Sequence, residues 1–391
     1  MHRQSAPPVV CLMMDRLSVG MLGAYGNAWI GTPSFDRLAF GSILADQMLL
    51  TSPTLSNFYD SVWRGESEPS VSISESCAAR GLDTLLVTDE MSLTAKDSGF
   101  ANVSMIEPGS SADNQFTETE KFFSAAADHL TALNAPTFVW LHTKCLADNW
   151  DAPYAMREWY AAEDDPPPPN SQVAPHFYTG PETDPDELLG WAQAYAAQIS
   201  HWDQCLGQLV ALIDSHPVFK DALLIVGGCR GFPLGEHRAV GQGTHESPDC
   251  DLYSELLHLP LLCRIPGGPS AGRLGQLMQP EDLFKILHLW MQQSTEEARE
   301  TLADFLGHTK EFRSTVISQH ESGSWSVRTP AWFLQSRNDT GNTKELYFKP
   351  DDRWEVNNVA ERCNDIVGAI EQLYQKVKDG KPIEPIDSLL R

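Results

Sequence analysis

Cationic residues are scarce in this chain: 28 Lys and Arg stand against 53 Asp and Glu among 391 residues, a formal net charge of -25. A surface so acidic repels phosphate backbones and anionic headgroups, which argues against nucleic-acid and membrane partners and favours solubility. Long apolar runs are missing too, and no window approaches the ~18 apolar residues of a membrane span. The run Val9–Met14 is too short for a secretory signal and ends on Asp15-Arg16. The cysteines, at positions 11, 77, 145, 205, 229, 250, 263 and 363, form no CxxC pair and no short-domain framework. Several lie inside apolar runs, where Cys acts as a small hydrophobe. A reduced, cytoplasmic protein is the resulting expectation.

What is present is the material for a large core: 42% of residues are hydrophobic and 21% charged. Short apolar runs alternate with longer helical patterns, the signature of an α/β fold with a mainly parallel sheet covered by helices. The expected strands are Val9–Met14, Thr84–Thr88, Thr137–His142, Ala222–Gly227 and His258–Arg264. The expected helices cover Ser34–Leu38, Glu118–Leu133, Asp186–Ile213 and Pro280–Met291. Residues 161–185 are rich in Pro and acids without periodicity, and read as a surface loop or lid. Past residue 307 the pattern changes to short runs (Thr315–Ser318, Ser324–Arg328, Ala331–Gln335, Glu345–Phe348) and a final amphipathic helix, Val359–Val377. The expected organisation is therefore an α/β domain over 8–306 and an α+β subdomain, a small antiparallel sheet with one terminal helix, over 307–391.

Four stretches, in order, carry a resemblance. They are Met14-Asp15-Arg16 followed by Leu22-Gly-Ala-Tyr-Gly-Asn and Gly31-Thr-Pro-Ser-Phe-Asp-Arg-Leu-Ala39; Gly81-Leu-Asp-Thr-Leu-Leu-Val87; Leu224-Ile-Val with Gly231-Phe-Pro-Leu-Gly-Glu-His237; and Glu345-Leu-Tyr-Phe-Lys-Pro-Asp-Asp352 with Asn357-Asn-Val-Ala360. They resemble the sulfatases of the alkaline phosphatase superfamily, where a first strand ends in two aspartates before a Gly-x-Tyr-Gly turn. There the later segments read Asp-His-Gly-x-x-Leu-Gly-Glu-His and Glu-Leu-Tyr-Asp-Leu…Asn-Asn-Leu-Ala. The resemblance spans residues 8 to about 375 and implies a three-layer α/β/α domain with a C-terminal subdomain. It also implies a divalent cation (Ca²⁺, or Mg²⁺/Mn²⁺) and a formylglycine made from Cys or Ser.

The chemistry-bearing positions depart from that pattern. Asp15 matches a metal ligand, but the adjacent ligand position is Arg16, and the second ligand pair is Cys229-Arg230 where the family has Asp-His. A guanidinium repels a dication, and a thiol is a soft ligand poorly suited to Ca²⁺ or Mg²⁺. The nucleophile position is Leu55 and the supporting Arg position is Tyr59; a one-residue slip would offer Thr54 or Ser56 without restoring the Arg. The Lys and His that would cradle the ester oxygens become Asp89 and Met91, the Pro-His pair becomes Leu146-Ala147, and the Lys after Gly-Glu-His becomes Gln242. Losing one transition-state donor costs on the order of 10² to 10³ in rate. Here metal, nucleophile and anion clamp fail together, so the family mechanism is not expected and no cofactor is expected.

Plainer roles suit what remains. His142 reads as a structural histidine at a strand end, and His237 as a packing residue in its turn. Asp15 reads as the buried partner of Arg16 or Arg230, with the two guanidiniums standing in the cation's place. Trp140, Trp150 and Trp202 read as core or loop packing. A residual pocket of His142, His237 and His245, or a soft-metal site of Asp15, Cys229, His237 and His245, is the competing arrangement. The function is accordingly read as a sulfatase-like pseudoenzyme with a binding, scaffolding or regulatory role. The alternative is a divergent sulfatase or phosphoesterase using a rearranged site around Asp15, Cys229 and His237. The partners left open are an active sulfatase paralogue or a second copy of this chain.

Overall fold

The computed structural model describes residues 7–65, 71–94, 99–107, 116–241, 251–292, 294–307, 313–339, 341–349 and 351–381. Gln242, His245 and Cys250 lie outside the described residues. In chain order the strands are β1 (Val9–Met14), β2 (Ile43–Leu49), β3 (Asp83–Thr88), β4 (Asn102–Met105), β5 (Thr137–Thr143), β6 (Phe177–Tyr178) and β7 (Leu223–Gly228). They continue as β8 (Ala239–Val240), β9 (His258–Arg264), β10 (Gly272–Met278), β11 (Val316–Gln319), β12 (Trp325–Arg328), β13 (Trp332–Ser336) and β14 (Lys344–Phe348).

Eight of them form one sheet in the order β10-β2-β9-β7-β1-β5-β3-β4. All neighbours are parallel except at β9, which runs antiparallel to both β2 and β7. The period-two alternation of a strand explains the three layers. Val9, Cys11 and Met13 of β1 enter one core with Phe138 and Trp140 of β5. Val10, Leu12 and Met14 enter the opposite core with Val139 and Leu141. With helices on both faces, such strands must be apolar throughout, which is why they stand out in the sequence.

Helices Leu55–Arg64 and Pro280–Gln292 cover the first face, and Pro33–Phe40, Glu118–Ala132 and Pro185–Ser215 the second. The 31-residue helix Pro185–Ser215 starts where Asp184 accepts from the Asp186 N–H at 3.0 Å, with Pro185 in its first turn. Trp140, Trp150 and Trp202 are all fully buried, as core packing requires.

Three expectations need correction. β2 was not anticipated, because Asp46-Gln47 interrupts its apolar run where the ladder to β9 shifts register between Ala45 and Met48. The segment 161–185 is not wholly irregular: it carries β6, which pairs with β8. It is also tied down, since the Tyr154 hydroxyl donates to the Pro168 carbonyl at 3.0 Å and the Arg157 guanidinium to that of Ser171 at 2.8 Å. The last helix begins at Asn364 rather than Val359. Asn358 Oδ1 accepts from the N–H groups of Leu346 and Ala360, and the Val359 N–H donates to the Leu346 carbonyl at 2.8 Å, so this stretch is fastened to β14 instead.

β11 to β14 form an antiparallel four-stranded sheet. Helix Asn364–Lys378 lies across it, burying Ile370 and Tyr374 against Val327, Leu334 and Leu346.

Helix Pro33–Phe40 follows the first strand and its turns, yet its own Thr32 makes no side-chain cap. Asp203, from the middle of the long helix, caps it instead, accepting from Ser34 N–H at 2.9 Å and Phe35 N–H at 2.8 Å. Asp203→Ala should therefore cost about 2–3 kcal/mol, the worth of two hydrogen bonds to a charged acceptor. Urea denaturation measures it, and a change below about 0.5 kcal/mol would refute the cross-helix cap.

Candidate functional site

The parallel ladder delivers three chain segments to one edge. Met14 of β1 is in register with Thr143 of β5 and Gly228 of β7. The Asp15 N–H donates to the Thr143 carbonyl and the Cys229 N–H to the Met14 carbonyl, each at 2.9 Å. Asp15, Lys144 and Cys229-Arg230 thus emerge side by side at the carboxyl edge, the usual location of ligand sites in open α/β sheets.

Arg230 grips Asp15 with both arms: Nε to Oδ1 at 2.8 Å and Nη2 to Oδ2 at 2.5 Å. Burial favours the neutral carboxyl, but the Arg230 charge and hydrogen bonds outweigh it and hold Asp15 down at about 2. Arg16, whose charge also favours the Asp15 carboxylate, is placed differently. Arg16 sits at φ +66°, a left-handed turn that carries its guanidinium to the Gly231 carbonyl at 3.2 Å. The Tyr195 hydroxyl donates to the Arg16 carbonyl at 2.5 Å and fixes that turn.

Next to the pair lies a buried cluster. Tyr59 Oη meets His142 Nδ1 at 2.5 Å, Cys229 Sγ is 3.6 Å from the same hydroxyl, and Trp140 Nε1 donates to it at 3.4 Å. Burial sets the charge state of each member. It lowers His142 to about 4 and raises the Tyr59 phenol and the Cys229 thiol well above their usual values. The imidazole is therefore neutral and accepts from the phenol at Nδ1, leaving the proton on Nε2, which has no partner among the described residues. Burial holds Cys229 in its thiol form.

The other family-equivalent positions lie around this edge. Leu55 opens the helix Leu55–Arg64 and Thr54 is its N-cap, accepting from the Asn57 N–H, while Ser56 is exposed. Asp89 accepts from the Thr143 hydroxyl at 2.7 Å and the Lys144 N–H at 2.9 Å, and burial pushes it up to about 6. Met91 is 68% exposed, and Leu146 and Ala147 are buried in a turn. The donor set does not suit an oxygen-loving dication: both Asp15 oxygens are taken by a cation, and the neighbouring donor is a neutral thiol.

His237 belongs to a different network from Cys229 and Asp15, so the soft-metal grouping is not assembled as expected. Its Nδ1 lies 2.8 Å from Glu255 Oε1 and its Nε2 3.0 Å from the Glu355 carbonyl, while the ring stacks on Tyr253 at 3.6 Å. The Glu355 carbonyl only accepts, so Nε2 carries a proton; a second proton on Nδ1, facing a Glu255 carboxyl that burial raises to about 7, makes the ring a cation. Burial works against that charge, yet Glu255 and the Glu355 carbonyl prevail and raise His237 to about 9. Ligand atoms of His237, Glu255 and Glu355 lie within 4.8 Å of one another, a spacing that could hold a metal. Lys349 Nζ balances Glu355 at 2.8 Å. Glu255 and Glu355 were missed in the sequence, where each is one acid among 53. Gly231 marks the crossing, since a Cβ there would meet the Glu255 carbonyl oxygen at 1.9 Å.

Against known proteins, the family model described as Sulfatase matches residues 7–292. Human steryl-sulfatase is 44% identical over 52 residues, which are 13% of this chain and only 9% of that relative's length. A putative sulfatase from Bacteroides fragilis superposes with a TM-score of 0.71 at 15% identity, covering 98% of this chain and 99% of that one. A phosphonate monoester hydrolase from Agrobacterium radiobacter gives 0.72 at 14% identity, covering 95% and 96%. At these identities the solved structures establish the shared fold.

Two outcomes follow from the geometry. Arg230→Met strands a buried carboxylate and should cost about 3–5 kcal/mol, while Asp15→Leu/Arg230→Met should recover most of it. The stabilisation by Asp15 should be complete above its ordinary value of 3.8 and vanish as pH falls through about 2. The stabilisation by His237 has the opposite sense, complete below 6.5 and lost as pH rises through about 9. His237→Gln should flatten that alkaline slope, worth on the order of 2 kcal/mol, in urea titrations at fixed pH.

Proposed function

The chain belongs to the sulfatase family, and from that premise we propose that it is a member without sulfuric-ester hydrolase activity, its fold retained for binding, scaffolding or regulation. The observation that carries this reading is the two-armed grip of Arg230 on Asp15. A divalent cation in this family would polarise the ester and activate the nucleophile. Here the one matching carboxylate is already neutralised by the protein's own cation, so the chain has no need of metal at that edge.

Other features support the same reading. Leu55 has no hydroxyl or thiol from which a formylglycine could be made. Tyr59 and His142 are neutral and bonded to each other, so neither offers charge to a sulfate or phosphate group. Asp89, where the family resemblance has a cation, turns negative above about pH 6 and repels an anionic ester. The wider reading keeps 8–306 as the α/β domain and 307–391 as its subdomain, in a reducing cytoplasmic setting. The partner is then an active sulfatase paralogue or a second copy of the chain.

Metal analysis joined to turnover tests this. Purified protein should hold no stoichiometric Ca²⁺, Mg²⁺, Mn²⁺ or Zn²⁺ at Asp15. Its rates on p-nitrophenyl sulfate, p-nitrophenyl phosphate and a phenylphosphonate monoester should stay within about tenfold of buffer. A bound metal or a turnover that disappears in Asp15→Ala would overturn the proposal.

A further inference from the structure

A separate concavity of about 260 Å³ opens where the loop after β1 meets the C-terminal sheet. Val19, Met21, Leu49 and Trp354 give it apolar wall, and Arg328, Lys349 and Arg353 give it positive charge. The acids on its lining are already engaged. Asp46 holds Arg273 at 2.5 Å, Glu255 holds His237 at 2.8 Å and Glu355 holds Lys349 at 2.8 Å. Glu236 accepts from the Leu234 N–H at 2.6 Å, and burial raises it toward the neutral form.

Arg328 is not matched in this way. It donates to three neutral acceptors, the carbonyls of Thr329 at 2.7 Å and Trp332 at 3.5 Å and Gln47 Oε1 at 3.0 Å. Among the described residues no carboxylate lies within ion-pair distance of it. Burial draws it down to about 10, and the charge of Glu355 acts only partly against that. A desolvated cation without a counter-ion is costly to keep. Lys349, a second cation on the wall, stands where the resemblance has a leucine.

We propose that this cavity binds a small organic anion, its charged group paired with Arg328 and its apolar body laid on Leu49, Met21 and the Trp354 ring. The volume fits a single ring with one charged substituent. The guanidinium presents the planar donors that carboxylate and phosphate oxygens accept. This inference does not depend on whether the chain hydrolyses esters, because none of the residues placed at the ester-hydrolysis position lines the cavity.

Isothermal titration of the full chain with benzoate, phenyl phosphate and neutral benzyl alcohol tests it. Both anions should bind, the alcohol should bind at least about tenfold more weakly, and Arg328→Gln should bring the anions down to the alcohol's level. A preference for phenyl phosphate over benzoate would identify a phosphate monoester as the ligand type, and the reverse a carboxylate. Equal binding of benzoate and benzyl alcohol, unchanged anion affinity in Arg328→Gln, or no anion binding up to about 10 mM would each overturn the proposal. Should Arg328→Gln not fold, Met21→Trp, which narrows the cavity from the turn after β1, must abolish anion binding. Retained binding there would overturn it equally.

Discussion

The Asp15–Arg230 ion pair organises the sheet's carboxyl edge. It joins the residue after β1 to the second residue after β7, so the two central strands end in a closed electrostatic unit. Removing two charges from water is expensive, and the two-armed geometry is what offsets it. With the pair in place, the neighbouring residues need no charge of their own. Tyr59, His142 and Cys229 settle into neutral forms around Trp140 and behave as core.

A second buried ionic unit, His237 with Glu255 and Lys349 with Glu355, stands between the main sheet and the C-terminal sheet. It is built differently. The first pair joins adjacent strands, whereas this one spans 118 residues from His237 to Glu355 through a ring nitrogen and a backbone carbonyl. Glu355 takes a left-handed backbone at φ +56° to present that carbonyl while its carboxylate turns to Ser254 and Lys349. Tyr253 stacks beneath the ring, so an aromatic face lies against the cation and excludes water from the junction.

The legible parts of the sequence were those whose physics is local. β1, β5, β7 and β9 are apolar on both faces, and their runs stood out with ends correct to one residue or so. The helices Glu118–Ala132 and Pro185–Ser215 begin within one residue of the expected starts, each capped by the residue directly before it, Thr117 and Asp184. β2 hid because a bulge places Asp46-Gln47 inside it, and Asn358 shortened the last helix by bonding across to β14. At the site, the residue types at the family positions were readable, but their pairing was not. Arg16 and Arg230 look equivalent in the sequence. The left-handed turn at Arg16, fixed by the Tyr195 hydroxyl 179 positions away, decides which of them reaches Asp15. Likewise nothing local to His237 foretold that its partners would be Glu255 and Glu355.

The place of β1 in the sheet has a consequence for the birth of the molecule. Its ladder partners are residues 137–143 and 223–228. Six apolar residues therefore leave the ribosome before either neighbour exists, and can pair first with β5 and only later with β7. β2 waits longer still, for strands at 258–264 and 272–278. Such high contact order makes folding slow and leaves exposed strand edges open to self-association. One edge of β1 thus stays open until β7 arrives to pair with it.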